Sequence, residues 1–252
     1  MGNFTESVAL VTGGGSGIGR SVCRQLAAEG AHVVVADLKE DRANAVVAEI
    51  TASGGSAVAE VGDLSDARVV ARVVGDVIAA RGRIDVLVAN AGIMDDMSGP
   101  DEVTDEVWER VIRVNLTAPF LLTRAVAAHM LAAGRGAIVY TASEAGLRGG
   151  AAGTAYTVSK HGLIGLVESG AVIYRNRGVR VNAVAPGGVR TNLEVNVNAT
   201  SEGLRVIGSY AANIGRVAEA DEVAAAIVFL ASDAASNVNG AVLPVDNGWS
   251  AV

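Results

Sequence analysis

Short β-branched runs alternate with longer helical patterns along the whole chain. Mostly apolar runs occur at 8–11, 32–36, 57–61, 84–88, 137–140, 179–184 and 241–245. Apolarity on both faces is what strands need when helices cover each side of a sheet. Helical periodicity fills the intervals 17–29, 40–53, 66–81, 102–133, 153–177 and 219–231. This alternation predicts the α/β class: a single-domain, doubly wound fold with a parallel seven-stranded sheet flanked by helices. No linker rich in Pro, Gly or Ser, no charge block and no repeat divides residues 1–252, so they read as one domain.

Two places break the regularity. Asn115 and Pro119 fall inside the 102–133 helical pattern, and Pro119 removes a backbone donor, so the helix should kink or loosen just before it. The stretch 187–216 is weakly patterned and rich in Gly, Asn and Thr, which predicts a substrate-binding loop or lid.

Composition narrows the function classes. A formal charge of -7 argues against a nucleic-acid-binding face. Charges or glycines interrupt the apolar runs, and the polar first residues, with Glu6, do not resemble a signal peptide. A cytoplasmic protein with no membrane association is the expectation. Cys23 is the single cysteine, which excludes an internal disulfide, and its helical apolar setting predicts a buried hydrophobe. His32, His129 and His161 are scattered without ligand spacing, so no metal site is expected.

The chemistry sits at the ends of strands. Thr12-Gly13-Gly14-Gly15-Ser16-Gly17-Ile18-Gly19 follows the first strand and opens the first helix. Glycines there let backbone amides approach a ligand, and the helix N-terminus offers unpaired N–H groups to a pyrophosphate. No Gly-Lys-Ser/Thr follows, so this is not a triphosphate P-loop; Ile18 breaks the Gly-x-Ser-x-Gly elbow at Ser16. Asp37 ends the second strand, where an acid would bind the adenosine ribose diol and repel the 2′-phosphate of NADP. Gly14, Gly15 and Ser16 supply no basic partner for such a phosphate, so NAD is the expected cofactor. Asp63 and Asn90 close the third and fourth strands at the same edge; each alone could serve as a turn or cap residue.

Tyr156 and Lys160 are four apart on a predicted helix and share one face. A free phenol, with a pKa near 10, is a poor base at neutral pH, and a neighbouring ammonium would favour the phenolate. The chain has 4 tyrosines and only Lys39 and Lys160 as lysines. Random placement would give about 0.03 such pairs, so the spacing is informative. Ser143 follows the fifth strand, where its hydroxyl could hold a substrate oxygen beside Tyr156 or equally cap a helix.

The whole chain resembles the short-chain dehydrogenases/reductases, in the branch of this length. The resemblance rests on the glycine turn, Asn90-Ala91-Gly92, Asn115, Ser143, Tyr156 with Lys160, and Pro186-Gly187 followed by Thr191, in family order. It implies a Rossmann domain and a catalytic tetrad of Asn115, Ser143, Tyr156 and Lys160. Tyr156 would be the acid/base, Ser143 would orient the reacting oxygen, and Lys160 would bind the nicotinamide ribose. Asn115 would hold a water linking Lys160 to solvent. It further implies that Asp63 and the Leu64 backbone contact adenine, that Asn90 lines the adenosine side, and that Val189 and Thr191 hold the carboxamide.

Two departures stand out. Ala89 replaces the first of the family's usual paired asparagines, and Asp246-Asn247-Gly248 replaces the usual Asp-Gly-Gly; Asn tolerates positive φ, so that turn should survive. The resemblance implies a homotetramer through the helices around 102–133 and 153–177 and the apolar segment 240–252, although that segment could merely cap the core. The expected function is interconversion of a secondary alcohol and a ketone with NAD(H). The alternatives are an NADP-dependent carbonyl reductase and a non-catalytic NAD(H)-binding sensor. Met94, Glu144, Leu147, Arg148 and Leu193 are candidates to line the substrate pocket: the first, third and last suit an apolar ring or chain, while Glu144 and Arg148 could serve a polyol.

Overall fold

A computed structural model describes residues 3–252; Met1 and Gly2, at the head of the polar N-terminal stretch, lie outside them. The strands are β1 (Val8–Thr12), β2 (His32–Asp37), β3 (Ser56–Val61), β4 (Val86–Ala89), β5 (Gly136–Thr141), β6 (Val179–Pro186), β7 (Val189–Arg190), β8 (Ala218–Glu219) and β9 (Val242–Val245). The main sheet has seven strands in the order β3-β2-β1-β4-β5-β6-β9, all parallel, while β7 and β8 pair only with each other. The order reverses between β1 and β4, and at such a switch point the carboxyl ends of the strands open a crevice. This is the Rossmann arrangement.

Helices α1 (Gly17–Ala28), α2 (Glu40–Ala52), α3 (Ala67–Arg81), α4 (Asp105–Ile112), α5 (Ala118–Ala133), α6 (Thr154–Tyr174), α7 (Glu202–Gly208) and α8 (Ala220–Ala231) complete the fold. Two apolar layers enclose the sheet. On one face Leu10, Leu87, Ile138 and Tyr140 pack with Val73 of α3, Val126 of α5 and Leu163 of α6. On the other, Val11, Val35 and Val139 pack with Val22 of α1, Val46 of α2 and Ile227 of α8. Cys23 lies in this second layer and is fully buried; burial pushes its thiol pKa well above the ordinary value.

The interrupted helix has a definite form. It starts at Asp105 rather than 102, because the Thr104 hydroxyl accepts the Val107 N–H at 3.3 Å and caps it. Ahead of Pro119, residues Arg113–Thr117 widen into a π-turn between α4 and α5. The expected loosening is therefore an extra residue in the helical wall, a device common at functional sites. Among the described residues, 105–133 is also the one helix whose length and hydropathy would suit a membrane span. Arg113, Arg124 and Gly134 still interrupt its apolar residues well before the roughly 18 that a bilayer needs. The helix instead packs as a core element against β4, β5, α3 and α6.

The stretch 187–216 is more ordered than its composition suggests. It contains β7 and the short α7, whose N-terminus is capped by the Ser201 hydroxyl from Leu204 N–H at 3.2 Å. Glu102 holds it down, accepting from the backbone N–H groups of Glu202 (2.8 Å) and Gly203 (3.2 Å). Asn247 does adopt φ 55°, so the turn in 246–248 survives its substitution.

Candidate active site

The glycine turn runs from β1 into α1. Gly17 has φ +50°, a conformation L side chains rarely adopt, and a Cβ on Gly19 would lie 2.1 Å from the Gly13 carbonyl oxygen. Ser16, the N-cap of α1, makes no side-chain cap bond, so the first N–H groups of the helix face the crevice without a side-chain partner. Thr191 stands opposite, its Cβ 3.2 Å from where a Gly17 Cβ would be. Val189 lies in β7, leading into Thr191. A cradle filled by any Cβ and a bare helix N-terminus are what a dinucleotide pyrophosphate fits. Ile18 packs back on the core.

Asp37, at the end of β2, accepts N–H bonds from Gly15 (2.9 Å) and Lys39 (3.0 Å), so its carboxylate is fixed beside the turn. Arg42 shares this corner: a Cβ on Gly15 would lie 2.7 Å from Arg42 Cβ and 2.8 Å from Asp37 Oδ2. The sequence reading looked for basic partners only within the glycine turn and missed Arg42, which reaches it from α2.

The carboxylate of Asp63, after β3, takes bonds from Ser65 N–H (2.9 Å), Ser65 hydroxyl (2.6 Å) and Arg113 (3.3 Å). The Ser65 hydroxyl leads the effects that hold its pKa below the ordinary carboxylate value. Leu64 beside it is buried in the core. Asn90 is largely a stitch: its amide donates to the Thr12 carbonyl (3.1 Å) and accepts from the Thr141 hydroxyl (3.1 Å), tying together the ends of β1, β4 and β5.

Tyr156 lies in the first turn of α6 and is 8% exposed. Ser143, just past the end of β5, lies close enough to the Tyr156 phenol to lower its pKa, and its hydroxyl oxygen accepts the Ala145 N–H at 3.1 Å. The cap reading of Ser143 is therefore realised, in a short turn on the Tyr156 side of the sheet. Lys160, 3% exposed, places its Nζ 5.3 Å from the centre of the Tyr156 ring and donates to the Thr141 carbonyl at 2.8 Å. Burial lowers the Lys160 ammonium to about 8. For Tyr156, burial wins over every other influence and pushes the phenol up to about 12, with Ser143 pulling it down and the Asp95 charge raising it further. The expected lowering by Lys160 does not show in the chain alone.

Asn115 is fully buried in the π-turn. Its side-chain oxygen accepts Ile93 N–H (2.9 Å), while its amide donates to the Ile93 carbonyl (2.9 Å) and to Ser159 Oγ (3.2 Å). A Cβ on Gly92 would come 3.3 Å from Asn115 Oδ1 and 3.5 Å from Lys160 Nζ, so the two side chains flank Gly92. The tetrad residues thus gather at one edge of the sheet.

Around Tyr156, Met94, Met97, Val107, Val111 and Ala145 form a small apolar cluster. Leu147 and Leu193 are exposed. Glu144 departs from its expected role: it is 1% exposed and ion-paired to Arg148, which also donates to the Trp249 and Val252 carbonyls. Those two groups face each other and the C-terminal turn. Among the described residues no cluster of His, Cys, Asp or Glu could hold a metal.

Sequence reasoning passed over Ser159, whose hydroxyl links the Tyr156 carbonyl (2.7 Å) to Asn115. It also passed over Asp95, buried against the start of α6. The one available signal for Asp95 was an acid placed shortly after Asn90-Ala91-Gly92 in an apolar setting.

A family model described as short chain dehydrogenase matches residues 7–202. Cis-4-hydroxycyclohexanecarboxylate dehydrogenase of Sinomonas cyclohexanicum is 43% identical over 249 residues, covering 99% of this chain and 98% of that protein. Cyclohexanol dehydrogenase of Acinetobacter sp. (strain SE19) is 38% identical, covering 98% and 96%. The solved structure of a candidate NAD(P)-dependent gluconate 5-dehydrogenase from Beutenbergia cavernae, with NADP bound at low occupancy, superposes with a TM-score of 0.87. It is 42% identical, over 100% of both chains.

Proposed function

The chain belongs to the short-chain dehydrogenase family and is an oxidoreductase; on that premise we propose that it interconverts an alicyclic secondary alcohol and its ketone with NAD(H), using Tyr156 as acid/base. One observation carries the reading: the buried Lys160 Nζ sits 5.3 Å from the centre of the Tyr156 ring, with Ser143 close enough to the phenol to lower its pKa. That constellation has a proton acceptor, an orienting hydroxyl and a fixed positive charge where substrate oxygen would bind.

When bound, the nicotinamide takes or gives the hydride; the protein supplies the proton, the orientation and the electrostatics. In oxidation Tyr156 takes the hydroxyl proton of the alcohol as its carbinol hydride leaves. Ser143 holds the oxygen that becomes the carbonyl. Lys160 grips the nicotinamide ribose and favours the phenolate, and Asn115 keeps a water beside Lys160. The turn Gly13, Ser16, Gly17, Ile18 and Gly19 holds the pyrophosphate. Asp37 takes the adenosine ribose, Asp63 and Leu64 flank adenine with Asn90 behind, and Val189 with Thr191 takes the carboxamide.

The ring-alcohol reading draws on the cyclohexane-ring relatives. The apolar cluster around Tyr156 supports it, as does Glu144, the acid a polyol would need, being buried against Arg148. NAD is favoured by the fixed Asp37 carboxylate. Arg42 beside Gly15, and the NADP seen in the gluconate-type relative, give an NADP-dependent reductase some standing. Initial rates with NAD and NADP across cyclohexanol, cis-4-hydroxycyclohexanecarboxylate and gluconate decide both points. Ring alcohols with NAD should react at least about tenfold faster than gluconate, a difference of about 1.4 kcal/mol. Preference for gluconate overturns the substrate class, and preference for NADP overturns the Asp37 argument.

A further inference from the structure

The first turn of any helix carries N–H groups without intrahelical partners. In α6, which carries Tyr156, the N-cap is Gly153, which has no side chain to serve them. The partners come from the loop after β4. The Asp95 carboxylate accepts from Gly153 N–H at 3.2 Å and from Tyr156 N–H at 2.9 Å. The Ser98 carbonyl takes both the N–H and the hydroxyl of Thr154, at 3.0 and 3.1 Å. Asp95 is only 2% exposed, and its third bond comes from Met97 N–H at 3.2 Å.

Gly153 and Asp95 are fitted to each other. A Cβ at residue 153 would lie 2.5 Å from Asp95 Oδ2, so the ordinary solution, a Ser or Thr N-cap, is incompatible with the carboxylate. Burying an acid is a costly way to cap a helix, since a neutral hydroxyl would do it without desolvating a charge. What the acid adds is a negative charge at the Tyr156 N–H, in the first turn of the helix that carries the phenol. The other polar groups facing Tyr156 are Ser143 from the β5 end and Lys160 from α6 itself. Val107 and Val111 of α4, with Met94 and Ala145, are apolar. Asp96 is the charged group that acts on Asp95.

We propose that Asp95 is a positioning residue for Tyr156: by capping α6 it sets the height of the phenol, and its charge opposes formation of the phenolate. This rests on Tyr156 being the acid/base. Ring-alcohol oxidation by Asp95→Asn, followed as kcat/KM against pH, tests it. Removing the charge should move the rising limb down by about one pH unit, while the damaged cap lowers kcat several-fold. The double variant Asp95→Ala with Gly153→Ser lets a hydroxyl cap the helix in the carboxylate's place. It should regain thermal stability and NADH affinity yet keep the lowered limb, which also covers the case in which Asp95→Asn does not fold. A limb that stays in place or rises in the folded variants overturns the assignment. Tyr156→Phe, run alongside, separates the failures. If it is inactive while the limb is unmoved, only Asp95's role falls; if it retains turnover, the acid/base reading falls and takes this one with it.

Discussion

At Tyr156 two influences of opposite sign compete for one proton. Burial among Met94, Val107 and Val111 favours the neutral phenol, and the value of about 12 says that burial prevails in the chain alone. The Lys160 ammonium and the positive ring of an oxidised nicotinamide act the other way. Oxidation needs the phenolate, so its kcat/KM should climb roughly tenfold per pH unit through the mildly alkaline range. Reduction needs the phenol and should be level near neutrality, falling only at higher pH. Paired rate profiles in the two directions check this, and a flat oxidative profile between about pH 7 and 9 would contradict it. At this scale the sequence was informative where helical spacing alone makes a contact, as with Tyr156 and Lys160. It was silent where the contact depends on how a loop lies. Arg42 reaches Gly15 from another element, and Asp95 reaches Tyr156 N–H across 61 residues of chain. No periodicity encodes either contact.

Among the elements, those most directly tied to the site are also the least regular. The π-turn at Arg113–Thr117 brings Asn115 inward to grip Ile93 on both its N–H and its carbonyl. Pro119 and Asn115 marked the place in the sequence, but a π-turn, a kink and a break share that signature. Strands β1 to β6 and β9 were legible to within a residue or two: β1, β2, β4, β5 and β6 because a strand buried on both faces must be continuously apolar, and the part-exposed edge strands β3 and β9 from their apolar runs between helical patterns. Ile84 and Asp85 drop out of β4, since Asp85 turns its carboxylate to Val8 N–H (2.9 Å) and to Arg83 and Arg135. The short α7 was not legible at all. Its seven residues bury no side chain fully, and it is held by the Ser201 cap and by Glu102, a partner about a hundred residues away.

On the scale of the whole molecule, large apolar side chains of α5 and α6 remain exposed. Val172 and Ile173 of α6 are 62% and 61% exposed, and Phe120 of α5 is 44% exposed. Covering the part of these side chains that is still exposed would stabilise an assembly by about 1–2 kcal/mol each, which supports the homotetramer we propose through these helices. Light scattering should give a tetramer for the wild type and smaller species for Val172→Glu with Ile173→Glu; a monomeric wild type would contradict it. The tetrad is assembled within one protomer, so the chemistry can be tested independently of assembly. The most direct measurement is the turnover of Tyr156→Phe beside wild type, with NAD and cis-4-hydroxycyclohexanecarboxylate, and with NADH binding titrated in both. Turnover should fall by at least about a hundredfold with NADH affinity unchanged. Turnover retained within a few-fold of wild type would contradict it.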